Sequence, residues 1–139
     1  MKRFLLIAVI SFLAFSTTLA TEQAPDLLII EKDTFYLKSF PLENLNFYSK
    51  VFDNSRTTGC HRGYIATWQV IDGVLMLKEV RKFDSSKKGL QGAKFNIIEH
   101  LKNSGYNPKT INDFIIADWY TDTLKRYESP YLWGTHNFY

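Results

Sequence analysis

A single cysteine, Cys60, is the only thiol in the 139 residues, so no internal disulfide framework can hold this chain together. Proline (4) and glycine (7) are too sparse for a collagen-like or low-complexity chain, which leaves a packed core as the source of stability. Charge of one sign is also lacking: 17 basic and 14 acidic residues are scattered without a basic block, which excludes an electrostatic footprint for nucleic acid. The one long apolar run, Phe4 to Phe15, is too short to span a bilayer comfortably. None of the three histidines, His61, His100 and His136, has a second ligand at the i+3 or i+4 spacing of a helical metal site. No metal, no cofactor and no catalytic motif is expected.

What is present starts with an export signal. Met1-Lys2-Arg3 is basic, the apolar run follows, and Ser16-Thr17-Thr18-Leu19-Ala20 ends in small residues, so residues 1–20 read as a signal peptide cut before Thr21. No cysteine lies at the cut, which argues against a lipid anchor. Two of the basic residues and no acidic ones belong to the leader, so the net charge falls from +3 to +1 on its removal. Residues 21–139 are enough for one domain with one core. The expected location is the periplasm or the exterior, with no transmembrane segment in the mature chain.

The strongest structural signal is Arg62 to Val80, where two strand-like runs flank Asp72-Gly73. Both residues tolerate the positive φ angles of a type I′ hairpin turn. That loop sets Ile71 against Val74, Val70 against Leu75, Trp68 against Leu77 and Ala66 against Glu79. Tyr64, Trp68, Val70, Leu75 and Leu77 then share the core face, and the opposite face, with Thr67, Gln69, Met76 and Lys78, is expected to be partly covered.

Upstream, Leu27–Glu31 and Thr34–Ser39 read as a hairpin around Lys32-Asp33, with Leu28 facing Leu37 and Ile30 facing Phe35. Pro41-Leu42-Glu43 resembles a helix start, giving a short helix near 41–52, and the chain from there to Gly63 reads as loop. Downstream, Arg81–Gly92 is polar and is expected to be a mobile connection. Ala93–Ser104 has the periodicity of a helix, with Phe95, Ile98 and Leu101 on one side and Gly105 as its cap. Phe114–Tyr120 and Thr123–Tyr127 read as a third strand pair around Thr121-Asp122, with a helix over 111–127 as the alternative. Glu128–Tyr139 reads as a loop or an edge strand. The expected architecture is α+β: a single domain whose antiparallel sheet is built from hairpins, with one or two covering helices.

Gly59-Cys60, the stretch from Arg62 to Trp68, the Asp72-Gly73 turn with Leu75-Met76-Leu77, Asp26 to Ile29 through Pro41-Leu42-Glu43, and Ala117 to Thr121 together resemble a group of small exported proteins of Bacteroidetes. The resemblance spans most of the mature chain and implies no activity and no catalytic residue. Members of that group continue with further strand-like sequence, which implies that the sheet here lacks its last strand or leaves an edge open.

For chemistry, Cys60-His61 is a tempting thiol and base, but neighbours in extended backbone point opposite ways, and a packed thiol is the plainer reading. Asp118 lies in an apolar run and is either an inward charge guarding an edge strand or a buried acid paired with a base, for which Arg62 is the expected partner. Tyr64, Trp119, Tyr131 and Trp133 could stack on a sugar or anchor a protein. Arg62, Tyr64, Asp118, Trp119, Tyr131 and Trp133 are therefore the candidate binding residues, and no catalytic residue is named. The favoured function is an exported non-enzymatic binding protein of the cell envelope, of inhibitor or immunity type, with a protein partner. The alternatives are an envelope hydrolase acting on peptidoglycan or glycan, using Asp118 with His100 or Glu99, and a carbohydrate-binding module with a planar aromatic row.

Overall fold

The computed structural model describes residues 22–127. The expected signal peptide and the candidates Tyr131 and Trp133 lie outside the described residues. Within them the chain is α+β, with a mostly antiparallel seven-stranded sheet in the order β2-β1-β3-β4-β7-β6 and β5 pairing β4 beside that path. The strands are β1 (Asp26–Ile30), β2 (Asp33–Leu37), β3 (Tyr64–Ile71), β4 (Val74–Phe83), β5 (Gln91–Phe95), β6 (Thr110–Ile111) and β7 (Phe114–Ile116). One α-helix, α1 (Ile97–Asn103), follows β5. Among the described residues no helix is long and apolar enough to cross a membrane.

The β3–β4 hairpin is the spine of the sheet. Asp72 (φ 49°) and Gly73 (φ 75°) both take the left-handed conformation a type I′ turn requires. Ile71, Val70 and Trp68 face Val74, Leu75 and Leu77 as the turn dictates. The register then slips by one, so Ala66 faces Val80 rather than Glu79, with the exposed Lys78 as the extra residue. Tyr64, Ala66, Trp68, Leu77 and Val80 are buried in the main core. The opposite face is more covered than expected: Ile65, Phe83, Leu90, Ala24 and Cys60 form a second small cluster.

The β1–β2 hairpin turns at Glu31-Lys32, not Lys32-Asp33. Glu31 takes φ 54° and Ile30 pairs with Asp33, which moves Leu28 opposite Phe35 instead of Leu37. β1 runs parallel to β3, Leu28 beside Trp68, which a purely hairpin-built sheet would not contain. The crossover after β2 makes this possible, because parallel neighbours need a long connection. That crossover holds two 3-10 turns, Pro41–Leu45 and Lys50–Ser55, in place of the expected single helix. Asn46 breaks it with a left-handed backbone, φ 51°. Leu42 and Phe52 are nonetheless buried on the core face.

Three further expectations are corrected. The polar stretch after Val80 is not a free connection: β4 runs to Phe83 and β5 returns along it, Val80 opposite Phe95. The expected helix over 93–104 therefore loses its first turn to β5. Asn96 sets the boundary, since its side-chain oxygen accepts from the Glu99 N–H (3.2 Å) while its amide donates to Glu99 Oε2 (2.9 Å). The far end ends as expected at Gly105, with Gly105 N–H to Lys102 O and Tyr106 N–H to Leu101 O. The third hairpin turns at Asn112-Asp113, both left-handed, and pairs β6 with β7, so neither the 123–127 strand nor the alternative helix forms. Instead the chain at 125–127 runs beside β2, with Lys38 N–H to Lys125 O and Tyr127 N–H to Tyr36 O.

Candidate functional site

Parallel pairing of β1 and β3 places the start of β1 against the approach to β3, and a buried polar cluster forms there. Asp26 is fully buried. Its Oδ1 accepts from Arg62 Nη2 (3.2 Å) and the Ala66 N–H (3.1 Å), and its Oδ2 accepts from Trp68 Nε1 (3.1 Å). Burial pushes the Asp26 carboxyl above the usual carboxylate range against the opposing pull of Arg62. All three neighbours are donors, so the geometry serves the ionised form.

Arg62 is held through one nitrogen, Nη2, and by ring packing. Nη2 also donates to Ala24 O (2.9 Å) and Tyr64 O (3.4 Å), and the guanidinium lies 3.7 Å from the centre of the Phe40 ring. Its Nε and Nη1, with the Tyr64 hydroxyl, are buried and have no hydrogen-bond partner. Tyr64 is wedged between Phe47 and Phe52, each 5.3 Å away between ring centres. Burial pushes its phenol far above the ordinary tyrosine range, so it stays a donor.

A cleft of about 220 Å³ opens over these two side chains, lined also by Glu43, Phe47, Tyr48, Ser49, Phe52, Arg56 and His61. Its outer wall is the loop between the two 3-10 turns. Tyr48 donates to Asp53 Oδ2 (3.1 Å), Arg56 lies over the Tyr48 ring at 5.2 Å, and Arg56 is paired with Asp53 (3.4 Å). Gly63 sets how closely the crossover packs beside it: with φ 73°, a Cβ there would sit 2.5 Å from Phe52 O. Only glycine allows the chain between Arg62 and Tyr64 to pass this close to the Phe52 backbone.

Of the sequence candidates, the structure brings Arg62 and Tyr64 together and leaves the others elsewhere. Arg62 pairs with Asp26, not with Asp118. Asp118 is exposed and accepts from the Tyr106 hydroxyl (2.8 Å) with Lys109 at 3.3 Å, so it is not buried among apolar neighbours. Those bonds hold its carboxyl below the usual range. Trp119 is half-buried, edge-on to Trp68 and Tyr106, and donates to Pro41 O (2.9 Å). Its contact with the Trp68 ring joins it to the buried cluster.

The partners required by the alternatives are otherwise engaged. Glu99 caps α1, and His100 packs against the Phe47 and Phe95 rings, 5.4 Å from each. Cys60 is buried, its Sγ reaches Tyr64 O (3.5 Å), and burial pushes the thiol up, away from thiolate chemistry. Among the described residues no three of His, Cys, Asp or Glu converge on a metal site.

Sequence reasoning missed Asp26, Phe40, Phe47 and Tyr48. For Asp26 a signal existed: an acid directly ahead of Leu27-Leu28-Ile29-Ile30 cannot be buried without a cation. The other three could be found only through the crossover that folds them over Arg62. Comparison with protein-family models, curated proteins and solved structures gives no match.

Proposed function

We propose that this chain is an exported, non-catalytic binding protein of the cell envelope that engages a protein partner through the Arg62–Tyr64 cleft. The observation that carries this reading is a cleft lined by Arg62 and Tyr64, two side chains buried in the fold that keep three polar atoms without a hydrogen-bond partner, Arg62 Nε and Nη1 and the Tyr64 hydroxyl. A buried donor without an acceptor costs free energy, and rules of this kind are broken in natural proteins chiefly at functional sites. Aromatic rings and an arginine are also the side chains that dominate affinity at protein interfaces. Export rests on the leader of basic, apolar and small residues at 1–20. The inhibitor or immunity-type reading is favoured because the lining is held rigid by packing, Tyr64 between Phe47 and Phe52 and Arg62 between Asp26 and Phe40.

The test is affinity capture from envelope extract and culture supernatant with the mature chain from Thr21 as bait, followed by reconstitution of any captured protein from purified components. The reading expects one stoichiometric partner that binds in the purified system. Capture of glycan alone, or of nothing, contradicts it.

A further inference from the structure

The sheet has two faces, and the buried residues of the crossover and of α1 cover one of them. Leu42 and Phe52 from the crossover and Ile97 and Leu101 from α1 share the main core with Leu28, Trp68, Leu77 and Ile115. Strand alternation turns the adjacent residues Ile29, Gln69, Met76 and Ile116 to the other face, and their pairing sets them in one row across β1, β3, β4 and β7. Ile71 and Val74 pair with each other beside that row, and Tyr36, between the core-facing Phe35 and Leu37, lies on its β2 side. The small cluster at Cys60 and Leu90 belongs to the end of this face near Ile65 and Phe83. Along the rest, Met76 is buried, Ile29, Ile71 and Ile116 are half-buried, and Tyr36 and Val74 are exposed. Soluble monomers rarely leave a contiguous apolar patch of this kind bare.

The chain itself arrives at that face. Arg126 pairs with Leu37, and its guanidinium lies 4.7 Å from the centre of the Phe35 ring, on the core side. Tyr127 turns the opposite way, donating its N–H to Tyr36 O, with the Lys38 ammonium 4.7 Å from its ring centre. Residues 128–139 follow Tyr127 and lie outside the described residues. Five of those twelve are Tyr131, Leu132, Trp133, Phe138 and Tyr139, and Glu128 is the only one of the twelve with a formal charge. The row Ile29, Gln69, Met76 and Ile116 carries no charge either, which suits the uncharged stretch from Ser129 to Thr135. Length is sufficient: twelve extended residues reach about 40 Å, and the four strand spacings from β2 to β7 come to roughly 19 Å.

We propose that residues 128–139 fold back over the open face of the sheet and lay their aromatic side chains across the row from Ile29 to Ile116. Tyr131 and Trp133 then belong to the packing of the fold and not to a surface that holds a ligand. This inference is independent of the Arg62–Tyr64 cleft.

The experiment is NMR on the purified mature chain from Thr21, with sedimentation to fix the number of chains. The expected result is a monomer in which the Trp133 indole gives nuclear Overhauser contacts to the side chains of Met76, Val74 or Ile116. A sample mixed from labelled and unlabelled chains separates contacts within a chain from contacts between chains. Trp133→Ala should leave the strand-to-strand contacts of β3 and β4 intact, while the Ile71, Val74 and Ile116 methyl signals become broadened by a soluble paramagnetic agent that spares them in the wild type. The inference is overturned if Trp133 shows no contact with this face, if the methyl groups are broadened equally in both chains, or if the contacts run between chains. The last result would make a second copy the occupant of the face.

Discussion

Asp26 and Arg62 meet 36 positions apart in the chain, Oδ1 to Nη2 at 3.2 Å, with both side chains withdrawn from solvent. Their contact ties β1 to the approach to β3 and fixes Arg62, a residue of the cleft lining. Removing one member leaves a buried charge without its counterpart. Asp26→Ala should therefore cost about 3–5 kcal/mol, measured by chemical denaturation. Replacing both by apolar residues of similar size, Asp26→Leu with Arg62→Met, should recover much of that loss. A single substitution costing under about 1 kcal/mol would mean that the pair is not desolvated as described.

Tyr64 should behave in the opposite way. Its hydroxyl is buried without a partner, so Tyr64→Phe removes an uncompensated polar group while keeping the ring between Phe47 and Phe52. The variant should be more stable by about 1 kcal/mol in the absence of ligand, read from its denaturation midpoint at unchanged slope. A loss of comparable size would show that the hydroxyl has a structural bond in the free protein. A group kept at a cost to stability is the pattern expected of a functional residue.

Two glycines with almost the same φ should respond very differently to alanine. Gly73 (φ 75°) has nothing within 4 Å of an added Cβ, so Gly73→Ala should cost only the left-handed penalty, about 1–2 kcal/mol. Gly63 (φ 73°) would add a collision with Phe52 O and the Arg56 side chain. Gly63→Ala should cost about 2–5 kcal/mol and weaken binding, because the crossover that supplies Phe47, Tyr48 and Phe52 to the cleft must move. Equal costs at both sites would contradict the packing described at Gly63.

Asp118 and Tyr106 form a titrating pair with opposite shifts. The Tyr106 hydroxyl bond, aided by Lys109, holds the Asp118 carboxyl down, so its contribution is present above the ordinary carboxylate pKa of about 3.9 and is lost as pH falls further. Burial first, and Asp118 second, push the Tyr106 phenol up to about 12. Its contribution is present below the ordinary value of about 10 and is lost as pH rises through about 12. Asp118→Asn should therefore reduce acid destabilisation and bring the Tyr106 titration closer to its ordinary value, followed by its ring signals in NMR. An unchanged Tyr106 titration would remove the hydrogen bond from the account.

The parts of this fold legible in the sequence are those with a local cause. Asp72-Gly73 dictates its turn through two left-handed residues, and the alternation from Tyr64 to Leu77 names the core face correctly. Leu101, Lys102 and Gly105 likewise announce where α1 ends. Local signals mislead where two elements compete for one pattern. Ala93, Lys94 and Phe95 fit a helix by spacing, yet pairing with β4 claims them, and only the Asn96 cap marks the change. The site was half legible. Arg62 and Tyr64 stand out as polar residues at the head of a core strand, but Arg62 was matched to Asp118 because an acid in an apolar run looks buried. Choosing Asp26 instead requires the parallel β1–β3 pairing, which depends on a crossover with no sequence period of its own.

The most direct measurement is affinity capture carried out side by side with the wild-type chain and Tyr64→Phe as baits, quantified by mass spectrometry. The account predicts one stoichiometric partner on the wild-type bait, reduced about tenfold on Tyr64→Phe although that variant is at least as stable. A partner held equally by both baits would place binding elsewhere on the surface and contradict the role of the Arg62–Tyr64 cleft.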